Sequence, residues 1–178
     1  MTDRTDTSSD QQAHSRITVS QLVKTKGVTS RKLIRAAELA SEKEVINSIS
    51  VAIVDDATIA SLHERYLDDP SPTDVLTFDL RDQYSEPELE GEIVVSAETA
   101  RRCARKLGLA DSDEILRYVI HGVLHLRGLD DQTAEERKIM RAEEDRILAL
   151  VTGSERTIRS WRKKTKSQPR KGRSSDRV

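Results

Sequence analysis

Apolar positions along this chain recur in two periods, and the switches between them predict an alternating run of strands and helices. Alternation at Arg16-Ile17-Thr18-Val19-Ser20 predicts a first strand. From Thr29-Ser30 onward Leu33, Ile34, Ala37, Leu39 and Ala40 recur at helical spacing, which predicts a helix capped by Ser30 and running to about Val45. Residues 48–54 are rich in β-branched side chains and stop at Asp55-Asp56, so they read as a strand. Residues 57–66 place Ile59, Leu62 and Tyr66 on one side of a short helix. Pro70 and Pro72 then force residues 68–72 into an extended loop. Strands follow at 73–78 and 92–95, parted by an acidic, proline-containing loop at 81–90.

The second half reads as helical. Ser96 is placed to cap a helix through Leu107, with Ala97, Ala100, Cys103, Ala104 and Leu107 inward and Arg101, Arg102, Arg105 and Lys106 outward. That basic face reads as solvated; beside a metal cleft it could also hold phosphates. Asp111-Ser112-Asp113-Glu114 sets acids where a helix N-terminus favours them and opens a helix through Ile115, Leu116, Val119 and Ile120. Thr133 and Glu136 have capping-box spacing and start a last helix carrying Ile139, Met140, Ile147, Leu148 and Val151 to about Thr152, with Met140 as core.

Composition sharpens this picture. A chain of 178 residues suits one domain, here residues 16–153, with a polar N-terminal arm at 1–15 and a tail at 154–178 that both read as disordered. The single Cys103 excludes an internal disulfide and a cysteine-based zinc cluster, and fits a reducing compartment. The N-terminal stretch has no apolar signal-peptide core, and no apolar run approaches membrane-spanning length. A soluble, cytoplasmic protein without a membrane partner is expected. The net charge of -1 conceals an asymmetry, because residues 155–178 hold ten Lys/Arg against Glu155 and Asp176 while the body is acidic.

The chemistry concentrates in His121-Gly122-Val123-Leu124-His125-Leu126-Arg127-Gly128-Leu129-Asp130-Asp131. His121 and His125 stand at i and i+4, one turn apart on one helix face. Gly128 permits a sharp exit that swings Asp131 back toward them. Two imidazoles and a carboxylate, with room for water, make a catalytic zinc site rather than a closed structural one. The plain alternative is two core histidines satisfied by hydrogen bonds. Asp130 is the other carboxylate at hand, as an acceptor orienting a ligating histidine. In H-E-x-x-H proteases the residue after the first histidine is the general base; here it is Gly122, which argues against proteolysis.

Three blocks in order, Pro72-Thr73-Asp74-Val75-Leu76-Thr77-Phe78, Gly91-Glu92-Ile93-Val94-Val95-Ser96 and the histidine block to Asp130, resemble the YbeY family of bacterial endoribonucleases. The resemblance spans roughly residues 17–151, and its specific part is H-G-x-L-H-L-x-G. It implies an α+β fold, a small mixed sheet of about four strands packed with about five helices, with the metal site on a central helix. It also implies one zinc ion held by His121, His125 and Asp131, cleavage of single-stranded RNA, and work on 16S rRNA 3′ ends and ribosome quality control. The small ribosomal subunit and its proteins are the implied partners. Two positions depart from the family pattern. Asp131 stands where a histidine is usual, and Leu67 follows Tyr66 where many members have Arg, so Arg65 or a basic residue of a helix is expected to steady phosphate charge in its place. With Gly122 inert, proton removal is left to the metal's own hydroxide, to Asp130 or to the RNA 2′-hydroxyl. The basic tail, with Trp161 to stack, offers salt-dependent contact with RNA phosphates. The competing expectation is a ribosome-assembly factor that binds RNA and protein around a structural zinc.

Overall fold

Four strands meet in one mixed sheet in the order β1-β2-β4-β3, and the five helices divide between its two faces. A computed structural model describes residues 16–82 and 88–153. Along the chain the elements are β1 (Ile17–Gln21), α1 (Ser30–Ser41), β2 (Ile46–Val54), α2 (Asp56–Leu67), β3 (Val75–Asp79), β4 (Leu89–Ser96), α3 (Ala97–Leu107), α4 (Asp111–Leu126) and α5 (Ala134–Thr152). β1, β2 and β4 run parallel, and β3 pairs antiparallel with β4 on the edge. This is the expected α+β fold. The expectations for the N-terminal arm, the basic tail and the middle of the 81–90 loop fall outside the described residues.

Side-chain alternation sorts the sheet's two faces. Ile49, Val51, Ile53, Val75, Ile93 and Val95 point into the main core with α1, α4 and α5, whereas Val54, Leu76 and Val94 form a smaller cluster with Ile59 of α2. α4 is the central helix: from Glu114 to Leu126 every residue is buried. It lies close on the sheet because two glycines leave out side chains where backbone and sheet meet. A Cβ at Gly122 would stand 2.8 Å from Ile93 Cγ2 and 3.0 Å from Thr77 Oγ1, and one at Gly91 would stand 2.7 Å from Leu126 Cδ2 and from the Phe78 carbonyl oxygen. Gly122 is therefore a packing residue as well as an absent base.

Several boundaries move. The cap of α1 is Thr29, whose side chain accepts from the Lys32 N–H, and not Ser30. That helix stops at Ser41, where Glu42 takes φ 52°, so Val45 lies beyond it and is exposed. β2 and β4 begin at Ile46 and Leu89, earlier than β-propensity indicates, because each supplies the other's ladder there. Asp55 ends β2 and also caps α2. Ile139 faces solvent, being off the stripe of Met140, Ile147 and Leu148. The capping box of Thr133 and Glu136 forms in both directions. On α3, Arg101 and Arg102 are ion-paired with Asp111 and Asp56.

Candidate metal centre

The last turn of α4 ends in a Schellman arrangement that brings the third side chain to the two histidines. The Gly128 N–H donates to the His125 carbonyl at 2.8 Å and the Leu129 N–H to the Leu124 carbonyl at 3.0 Å, with Gly128 at φ 87°. Past this turn, Asp130 Oδ1 accepts from the Asp131 N–H at 2.8 Å, and Arg137 of α5 donates to the Asp131 carbonyl at 2.9 Å. Asp131 is thereby turned inward and buried.

His121, His125 and Asp131 each offer a ligand atom, all within 4.8 Å of one another. The two Nε2 atoms are 3.0 Å apart, and each lies 3.9 Å from an oxygen of the Asp131 carboxylate. A tetrahedral zinc with bonds of about 2 Å spaces its ligand atoms by roughly 3.3 Å, which these gaps bracket. Both rings are held by their other nitrogen. His121 Nδ1 stands 2.8 Å from Glu144 Oε1 on α5, and His125 Nδ1 stands 2.9 Å from the Leu129 carbonyl oxygen. A carbonyl only accepts, and so does an ionised carboxylate, so Nδ1 of each ring carries the proton. Neutral rings then aim two lone pairs at each other. A positive centre beside them resolves that conflict, and Asp131 Oδ1, buried with no hydrogen-bond partner, is aimed at the same place.

Arg117, buried on α4 one turn before His121, bonds Glu144 Oε2 and Asp145 Oδ1, both at 2.9 Å. Burial lowers the His125 pKa, and the neighbouring His121 adds to that, against a smaller opposing pull from Asp131. His125 is thus held in the neutral, ligating form. These donors fit a zinc-like ion.

The sequence profile of one family, Endoribonuclease YbeY, matches residues 9–152. The chain belongs to this family. An Endoribonuclease YbeY from Aquifex aeolicus is 35% identical over 133 residues, covering 73% of this chain and 89% of the relative. One from Carboxydothermus hydrogenoformans is 41% identical over 103 residues, covering 58% and 71%. Among solved structures, a Thermotoga maritima protein in solution superposes with a TM-score of 0.52 at 27% identity, covering 88% of this chain and 99% of that one. The histidine block thus sits within the stretch shared with the YbeY family.

The structure brings His121, His125 and Asp131 together, with half-buried Asp130 next to them. Asp130 is not the acceptor that orients a histidine: its Oδ1 holds the turn, and the orienting groups are Glu144 and the Leu129 carbonyl. Arg65 is not brought to the triad. It is exposed near the end of α2, a helix on the opposite face of the sheet, with its guanidinium carbon 5.6 Å from the Tyr66 ring centroid. Sequence reasoning missed Glu144 and Arg117. Both had a signal: Glu144 falls on the apolar stripe of α5 with Met140, Ile147 and Leu148, and Arg117 precedes His121 and His125 at intervals of four.

Proposed function

We propose that this chain is a zinc-dependent endoribonuclease specific for single-stranded RNA, acting in 16S rRNA 3′-end maturation and ribosome quality control in contact with the small ribosomal subunit. The observation that carries the reading is the triad itself: two imidazoles whose Nδ1 atoms face Glu144 and the Leu129 carbonyl and whose Nε2 atoms converge beside a carboxylate oxygen with no hydrogen-bond partner, in a member of the Endoribonuclease YbeY family.

When bound, the ion supplies Lewis acidity toward a phosphoryl oxygen and acidifies water. His121 and His125 serve as ligands and not as bases, because a coordinated nitrogen has no lone pair left. Asp131 completes the donor set. Gly122 moves no proton, and half-buried Asp130, adjoining Asp131, is the protein carboxylate at hand to take the proton leaving the nucleophile. The ten basic groups of residues 155–178 supply sequence-independent attraction to RNA phosphates, which weakens steeply with salt.

The test is incubation of the purified full chain with single-stranded RNA, with and without a chelator, beside His121→Ala. Cleavage that disappears with the metal and with His121 is expected. Zinc retained without any turnover overturns the enzyme reading in favour of a ribosome-assembly factor with a structural zinc. The burial of all three ligand side chains, 5% exposed or less, is the observation on that side. A chain ending at Gly153 with unchanged RNA affinity at low salt removes the tail from the proposal.

A further inference from the structure

We infer that Glu144 is the positioning residue of the metal centre, and that Arg117 fixes it in place. The inference rests on the reading of the triad as a metal site. Glu144 divides its carboxylate between two partners, Oε1 to His121 Nδ1 at 2.8 Å and Oε2 to Arg117 at 2.9 Å. A carboxylate bonded at both oxygens cannot rotate freely. Its plane is set by a guanidinium buried in the core, and that plane sets the plane of the imidazole. His121 is consequently locked with its proton on Nδ1 and its lone pair on Nε2 before any ion arrives. A carboxylate at Nδ1 also makes Nε2 more basic, and partners of this kind are worth about 10–100-fold in metal affinity.

Arg117 and Glu144 are both about 1% exposed, so neither bond is exchanged for water. Asp145 takes a second arm of the same guanidinium at 2.9 Å, holding it against α5. The consequence is a chain of contacts from the α4–α5 interface to the metal: Asp145, Arg117, Glu144, His121. The two histidines differ accordingly, since His125 is oriented by a backbone carbonyl that no side-chain substitution removes.

The experiment measures zinc affinity of the full chain by competition with a chromophoric chelator. Glu144→Gln keeps the shape and removes the charge, and it is expected to weaken zinc by about 10–100-fold. Asp145→Asn weakens the hold on the same buried Arg117 while leaving the Glu144 bond to His121 in place, and is expected to weaken zinc by less than Glu144→Gln does. Equal losses in the two variants, or none in either, overturn the inference. A second readout does not need the variants to fold: in the zinc-free wild-type chain, nitrogen-resolved NMR of the imidazoles is expected to show His121 protonated on Nδ1. Protonation on Nε2 overturns it. Wild-type protein that binds no zinc sinks the metal reading alone, and the tautomer still decides what Glu144 does.

Discussion

Glu144 Oε1 lies 2.8 Å from His121 Nδ1, although the two residues are twenty-three positions apart and on different helices. The contact makes the packing of α5 on α4 part of the site. His121 is therefore oriented by tertiary structure, and whatever loosens the α4–α5 interface loosens the candidate metal centre too. Four outcomes follow from the geometry.

Zinc is expected to stabilise the folded chain, because the three ligand atoms converge only in the native state. At a free concentration one hundred times the dissociation constant the gain is about 2.7 kcal/mol. Thermal unfolding with zinc and with chelator checks this. The shift in midpoint should vanish in His121→Ala.

Gly122→Ala is expected to destabilise the fold, since the added Cβ would meet Ile93 Cγ2 at 2.8 Å and Thr77 Oγ1 at 3.0 Å. Overpacking of this kind costs about 1–3 kcal/mol. Urea unfolding of the zinc-free chain measures it. A variant as stable as wild type would show that α4 can lift from the sheet at no cost.

Asp130→Asn retains an acceptor for the Asp131 N–H and so should preserve the turn that delivers the third ligand. Zinc affinity is expected to hold. The cleavage rate is expected to fall by about 10²–10⁴-fold, the usual contribution of a positioned proton acceptor. An unchanged rate would move the proton to another group.

The lowered pKa of His125 fixes the sign of one pH effect. An unfolded histidine titrates at about 6.5, and His125 in the folded chain below it. As pH falls beneath that value the unfolded chain takes up a proton that the native chain refuses, so this contribution to stability is complete above the unfolded value and is lost on the way down to the folded one. Zinc binding weakens in the same direction, because the proton and the metal compete for Nε2. Imidazole NMR titration of the zinc-free chain gives the value directly; one at or above an unfolded histidine's would refute the assignment.

Much of this was legible in one dimension. Capping chemistry at Ser96 and Thr133 marked helix starts because those signals are local. The triad was legible for the same reason: a four-residue interval on a helix and a glycine-driven exit place His121, His125 and Asp131 within eleven consecutive residues. Where β2 and β4 begin was not legible, because the ladder between them, and not their own propensity, sets those ends. Arg65 looked close to the chemistry in sequence terms, yet strand alternation puts its helix on the far face of the sheet.

The sequence alone determined which side chains are the candidate ligands, since helical spacing and one left-handed glycine are properties of a short stretch of backbone. Only the tertiary structure decided how they are aimed. Helical spacing puts Glu144 and Arg117 on buried stripes, but their role comes from packing α5 on α4, which removes them from water and brings Glu144 to Arg117 and His121 as burial demands.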